Sequence, residues 1–458
     1  MDAAASVVGM ADDSQRDPGD ELRDMLRELL SGNSEIDPSR LAGAAGLPDD
    51  PDLIAQMITQ LQGALQNSGD GINWDVAIDQ AKAIAASTSA EVTPVDRDAH
   101  QQVLSVAALW LGEVTSIAEL TAEPHILTRG DWVEATMPVW TQLAEPVATS
   151  IADALTEVIR EQAPEELSGM LANAGQLMRN VGGTLFAMQL GHVVGQLSTE
   201  VVSGGDIGIP LLTATGSSDH QAAIVPQNVA AFGEGLDIPA DQVQLYLAVR
   251  ELAHARLFRH AKWLRLQLIT AITEYAKGIH IDTAPLEDLA ADLDPSNPEA
   301  LRDALASGAL IPPKTDAQLA ALARLESILA LIEGWVDVTT ASATTRLPSS
   351  GAIAEMVRRR RAAGGPAESA FATLVGLELR PRRLREAAAM WQAVTDAVGA
   401  DKRDSLWSHP DLVPTSEDID NPEQLIARLT DTAPEPDDID RAIEDLLGDD
   451  SGDRPREE

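Results

Sequence analysis

Arg250-Glu251-Leu252-Ala253-His254 carries two of the three groups of an H-E-x-x-H zinc-hydrolase helix. In that arrangement two histidines four residues apart share one helix face and reach one zinc ion, while the glutamate beside the first activates the zinc-bound water. Here Arg250 stands where the first histidine would be. A guanidinium is permanently protonated and has no lone pair to offer a cation. The chain therefore keeps a general base, Glu251, and one ligand, His254, but not a full metal cage. On a helix the three side chains converge on one spot. Taken alone, the pentapeptide is better read as a chance string on a helix whose arginine makes a surface ion pair with a carboxylate.

The elements around this motif have readable signals. Asp237-Ile238-Pro239 predicts the start of a long helix running through Val243, Leu247, Leu252, His254 and Phe258 and past Trp263. Before it, residues 203–235 are rich in Gly, Pro, Ser and β-branched residues. Ala222 to Val225, followed by Pro226, predicts the one small strand region, with Pro226 suiting an edge strand. Further helical patterns cover Ala317 to Val338 and Pro381 to Val398. The fold class is mainly α, with a small β region preceding the motif helix. Four segments are expected: an acidic N-terminal arm with a short amphipathic helix (1–50), a helical domain (51–200), the domain carrying the motif helix and C-terminal helices (201–430), and an acidic tail (431–458). In that tail Ile439, Ile443, Leu446 and Leu447 keep helical spacing. Gly183, Gly191 and Gly195 interrupt the most apolar stretch, Val181 to Leu197, where they let helices approach closely. That stretch is too short and too polar for a bilayer span.

Glu333-Gly334-Trp335-Val336-Asp337 lies on the second helical pattern. In one class of zincins a glutamate on such a helix is the third zinc ligand, and an aspartate four residues on orients a motif histidine by a hydrogen bond behind the metal. The chain resembles the bacterial zincin-like metallopeptidases commonly labelled hydrolases, one branch of which is associated with deazaflavin-coenzyme biosynthesis. The resemblance spans roughly residues 100 to 425. It rests on Glu251 to Phe258 with Lys262-Trp263-Leu264-Arg265, on Glu333-Gly334 to Asp337, on Leu379-Arg380-Pro381-Arg382-Arg383-Leu384-Arg385 leading into Met390-Trp391, and on Trp407-Ser408-His409-Pro410-Asp411-Leu412 with Pro414-Thr415. It implies a zincin-like fold, His254 and Glu333 as metal ligands, Glu251 as the base and Asp337 behind the ligands. Arg250 departs from the family pattern and sets zinc binding and peptidase activity against it. His260 points to another helix face unless the helix breaks near Arg259, and His280 is a remoter candidate ligand.

Composition narrows the chemistry further. The chain of 458 residues has 73 acidic against 33 basic side chains, a net charge of -40, which argues against nucleic acid as a partner. With no cysteine, disulfides, thiolate metal sites and cysteine nucleophiles are excluded, and any metal must be held by His, Asp or Glu. The N-terminal residues lack the basic start and apolar core of a signal peptide, so a cytoplasmic location is expected. The one basic island is Arg358, Arg359, Arg360 and Arg361 together with Arg380, Arg382, Arg383 and Arg385; it suits an anion such as a phosphate, or the acidic tail. Gly204-Gly205-Asp206-Ile207-Gly208 has neither the lysine nor the spacing of a nucleotide loop. Two readings follow. One is a zinc-dependent hydrolase, impaired by Arg250, with a peptide or protein as its ligand. The other is a non-catalytic pseudopeptidase acting in binding or assembly.

Overall fold

Thr93-Pro94-Val95-Asp96 shows how this chain starts its helices. The Thr93 hydroxyl accepts from the Asp96 amide at 3.2 Å and the Asp96 carboxylate accepts from the Thr93 amide at 3.2 Å, which satisfies two amides that the first turn leaves unpaired. The same reciprocal cap joins Thr315 and Gln318. The computed structural model describes residues 72–162, 183–184, 186–212, 221–277, 314–362 and 383–430. The chain separates into two compact units, residues 1–68 and 69–458, and all the described residues belong to the second. The expected N-terminal arm and acidic tail, and Arg380, Arg382 and His280, lie outside the described residues.

In chain order the elements are α1 (Asp75–Thr88), α2 (Pro94–Gly112), β1 (His125–Ile126) and α3 (Arg129–Gln162), then a helical stretch α4 at 186–198. There follow β2 (Ala223–Ile224), α5 (Pro226–Gly233), α6 (Ala240–His260), α7 (Trp263–Lys277), α8 (Asp316–Ala343), α9 (Ser350–Ala362), α10 (Leu384–Ser405), α11 (Ser416–Asp420) and α12 (Pro422–Thr430). The fold is mainly α. α2 and α6 pack on each other, as do α7 and α3, so one core crosses the boundary expected at residue 200.

Three local expectations need correction. β2 is flanked on both sides: β1 pairs with it in parallel, with His125 opposite Ala223, and Ser203 bridges Ile224 antiparallel. Pro226 is therefore not an edge-strand residue. It opens α5, where a missing N–H removes no helical bond. The motif helix also stops short: α6 ends at His260, the chain turns at Ala261 with φ -96 and ψ 67, and α7 begins at Trp263. His260, the last residue before that turn, is exposed. Finally, α10 starts at Leu384 and runs beyond Val398, although Gly399 (φ 82) interrupts its helical backbone at that point.

α6 is buried on every side. From Tyr246 to Phe258 no residue is more than 4% exposed, although the segment contains Arg250, Glu251, His254 and Arg256. Burial of that kind requires each charged group to have a partner. α8 lies against α6, and its other side packs on α10. Gly334 sits at the α8–α10 crossing, where a Cβ would come within 2.8 Å of the Ala388 nitrogen and 2.9 Å of the Ala387 carbonyl carbon. Backbone cannot yield as a flexible side chain can, so Gly334→Ala is expected to destabilise the protein by about 1–3 kcal/mol. Urea denaturation would check this, and an unchanged midpoint would show the crossing to be looser than drawn. Gly191 does the same for α4 against α1, since its Cβ would lie 2.5 Å from the Ala77 carbonyl oxygen. No helix among the described residues is long and apolar enough to cross a membrane.

Candidate functional site

α6 presents Arg250 and His254 toward α8, and α8 presents Glu333 between them. The Glu333 carboxylate is 1% exposed and meets three donors. Arg250 pairs with its Oε2. His254 Nε2 lies 3.0 Å from its Oε1, and Arg361, from the C-terminal end of α9, approaches the same oxygen at 2.8 Å. Both imidazole nitrogens face atoms that only accept, a carboxylate at Nε2 and a backbone carbonyl at Nδ1, so the one N–H of the neutral ring is assigned to Nε2, toward the charged acceptor. Its other nitrogen, Nδ1, is 3.1 Å from the carbonyl oxygen of Arg250. Desolvation lowers the affinity of His254 for a second proton, against the opposing pull of Glu333. Desolvation also works to raise the Glu333 carboxyl, but Arg361, Arg250 and His254 outweigh it and hold the group far below its ordinary value.

Glu251 is buried beside this cluster but turned from it. Its Oε2 accepts from the Gly205 amide at 2.7 Å and its Oε1 from the Ala223 amide at 2.8 Å, and Ser203 contributes a third hydrogen bond. The carboxylate thus ties the 203–205 turn and β2 to the motif helix. Desolvation pushes it up to about 7 despite these hydrogen bonds. Since the folded value lies above the ordinary 4.5, the native state holds the proton that the unfolded chain releases. The stability linked to Glu251 is thus complete below about 4.5 and lost as pH rises through about 7. Glu251→Gln is expected to flatten this dependence. It should also cost about 1–3 kcal/mol, because one backbone amide loses its acceptor. Denaturation midpoints of parent and variant between pH 5 and pH 8 would check it; parallel curves would contradict it.

Asp337, one turn beyond Glu333, binds Arg358 at 2.9 and 3.2 Å. Its partner is thus on α9, and the His254 nitrogens face Glu333 and the Arg250 carbonyl. The arginine run of α9 is distributed over the carboxylates of the fold. Arg358 takes Asp337, Arg359 takes Glu355 at 2.9 Å, Arg360 meets Asp206 at 3.4 Å and the Glu200 carbonyl, and Arg361 takes Glu333 and the Asp206 carbonyl. Arg383 pairs with Asp420 on α11. These arginines, expected as an island for an anion or for the acidic tail, are engaged by carboxylates and carbonyls among the described residues.

Two contributors escaped the sequence reading. Arg361 was seen only as part of a basic run. The glycine-rich turn, dismissed as a nucleotide loop, lines the site: a Cβ on Gly205 would lie 2.6 Å from the His254 Cβ. One on Gly208, whose φ of +79 already favours glycine, would lie 2.6 Å from the Glu333 Oε1. Three chain segments, α6, the end of α9 and the glycine-rich turn, thus close on Glu333.

The donor set does not fit zinc. A catalytic zinc needs three protein ligands and an open position. Arg250 and Arg361 occupy the Glu333 oxygens, the His254 Nε2 holds a proton toward Glu333, and the Glu251 oxygens face backbone amides. Among the described residues no group of three or more His, Asp or Glu side chains is placed to hold a metal ion.

A family model for zincin-like metallopeptidases matches residues 72–426. The fold is also similar to a crystal structure from Chloroflexus aurantiacus, described as a candidate hydrolase with a novel fold. The TM-score is 0.53 at 20% identity, covering 79% of this chain and 100% of that one, and likeness at such identity speaks for the fold alone. No curated protein matches the chain. With the motif helix, the glutamate helix and a family match over more than half of its residues, the chain belongs to the zincin-like metallopeptidase family.

Proposed function

We propose that this chain is a non-catalytic member of its family, a pseudopeptidase of the cytoplasm that acts by binding or assembling with a peptide or protein. The observation that carries this reading is the Arg250 guanidinium seated on Glu333 beside His254. It supplies fixed positive charge at the place where the family resemblance implies a metal. Arg361 adds a second guanidinium on the same carboxylate, and Glu251 spends both oxygens on holding the β region to α6. A buried pair of this kind keeps the site closed, because removing either partner strands a charge.

The hydrolase reading draws on the family and on Glu251, whose value of about 7 suits a general base. Against it stands geometry, since a base must reach the water it activates. The two readings separate under repair. Arg250→His combined with Arg361→Gln restores two imidazoles at motif spacing and releases Glu333. On the proposed reading the parent takes up far less than one equivalent of zinc on titration, and the double variant takes up measurably more. Stoichiometric uptake by the parent would sink the proposal.

A further inference from the structure

A groove of about 390 Å³ lies along α7 where that helix packs on α8. Trp263, Leu266, Thr270 and Ala271 of α7, Ile328 of α8 and Pro410 line it, and none of the residues around Glu333 does. Positions 263, 266, 270 and 274 recur every third or fourth residue, so they share one face of α7, about 16 Å long. Trp263 is fixed from behind: it stacks on Trp407 with ring centroids 6.4 Å apart and donates its indole N–H to the Trp407 carbonyl at 3.1 Å. Leu266, by contrast, is 69% exposed, and Leu412, on the same 3-10 turn as Pro410, is 50% exposed. An apolar groove with uncovered leucines beside it has the character of a contact surface. It is also poor in acid. Glu274, the one acidic residue of its lining, pairs with Arg324 at 2.6 Å, and Lys262 and Arg265 bring positive charge to the start of α7 in a chain of net charge -40.

The segment after α12, residues 431–458, has matching chemistry. It carries twelve acidic side chains against three arginines, with a single apolar stripe at Ile439, Ile443, Leu446 and Leu447. As a helix that stripe is about 12 Å long, within the length of the groove, and a helix so short needs a surface to hold it in water. The arginines of α9 are already engaged by Asp337, Glu355, Asp206 and Glu333. The chain also leaves the fold on the side that leads to the groove. α12 packs on α10, and Lys402, in the last turn of α10, donates to the Leu429 carbonyl at 2.7 Å. From that same turn the chain passes through Trp407 to Pro410. Residues 431–438, extended, reach up to about 28 Å, and such a tether makes even a weak contact effective.

We propose that residues 431–458 dock on this groove of their own chain. A helix lays Ile439, Ile443, Leu446 and Leu447 over Trp263, Leu266 and Ile328, and the flanking carboxylates face the basic start of α7.

The test is amide hydrogen exchange on the full chain at two protein concentrations. In the parent the amides between Asp438 and Leu447 should exchange at least about tenfold more slowly than in an unstructured peptide, equally at both concentrations. Leu266→Glu alters a side chain that is 69% exposed, so the fold should persist and the α6 amides should keep their protection. The protection of residues 438–447 should nevertheless be lost. Ile443→Asp strikes the other side of the contact and should release the segment in the same way. Exchange at the unstructured rate in the parent would overturn the proposal, as would protection that survives Leu266→Glu in a folded chain. Protection that falls on dilution would seat the segment on a second copy and overturn docking within one chain. Zinc plays no part in this readout, so its failure leaves the pseudopeptidase reading untouched.

Discussion

Glu333→Ala is expected to destabilise the protein by about 3–5 kcal/mol, the cost of leaving a buried charge uncompensated. Two guanidiniums, Arg250 and Arg361, lose their shared acceptor, and so does the His254 Nε2 proton. The native carboxyl is held far below its ordinary 4.5. Its stabilising effect is therefore complete above that value and lost as pH falls below it, when protons are taken up by the unfolded chain first. Two signatures should appear together in equilibrium denaturation: a large loss at pH 7 and a weaker acid dependence below about 4.5. A loss under about 1 kcal/mol would show that the guanidiniums find water or other acceptors, and that the cluster is not the dry cage described.

A comparable loss, about 3–5 kcal/mol, is expected for Asp404→Ala, far from the motif. Asp404 is 1% exposed and gathers donors from several elements. Arg403 Nε donates at 2.7 Å, Trp335 Nε1 at 2.9 Å, the Thr115 hydroxyl at 2.6 Å and the Ser116 amide at 2.9 Å. Its removal strands Arg403, itself 1% exposed, and frees the indole that seats α8 against α10. Asp404→Asn, which keeps the shape and half of the accepting capacity, should lose less than Ala. If Ala and Asn were equally mild, the carboxylate would be shown to matter little.

The contrast between these two residues shows what the sequence could reveal. Glu333 was legible because it sits in a motif, on a helix whose apolar period and core tryptophan declare burial. Asp404 follows Arg403 in an ordinary-looking charged stretch, and nothing local signals that its partners lie at Thr115 and Trp335. The same limit hid Arg361. A run of four arginines reads as one basic island, yet each side chain pairs with a different carboxylate, and one of these, Asp206, lies more than a hundred residues away. The mainly helical architecture and a strand ahead of the motif helix could be read from periodicity and turn chemistry, but α5, which stands between them, could not. The end of α6 could not, since Ala261 and Lys262 offer neither Gly nor Pro to mark it. Pro226 was misjudged because proline serves both strand borders and helix starts, and only the pairing of β2 on both sides decides between them.

Metal analysis of the purified chain, expressed with zinc in excess and freed of loosely bound ions, tests the central claim most directly. With Arg250 and Arg361 on the Glu333 oxygens and a proton on the His254 Nε2, zinc should remain far below one equivalent and should not change on His254→Ala. One zinc per chain, lost on His254→Ala, would contradict the account and return the protein to the catalytic members of its family.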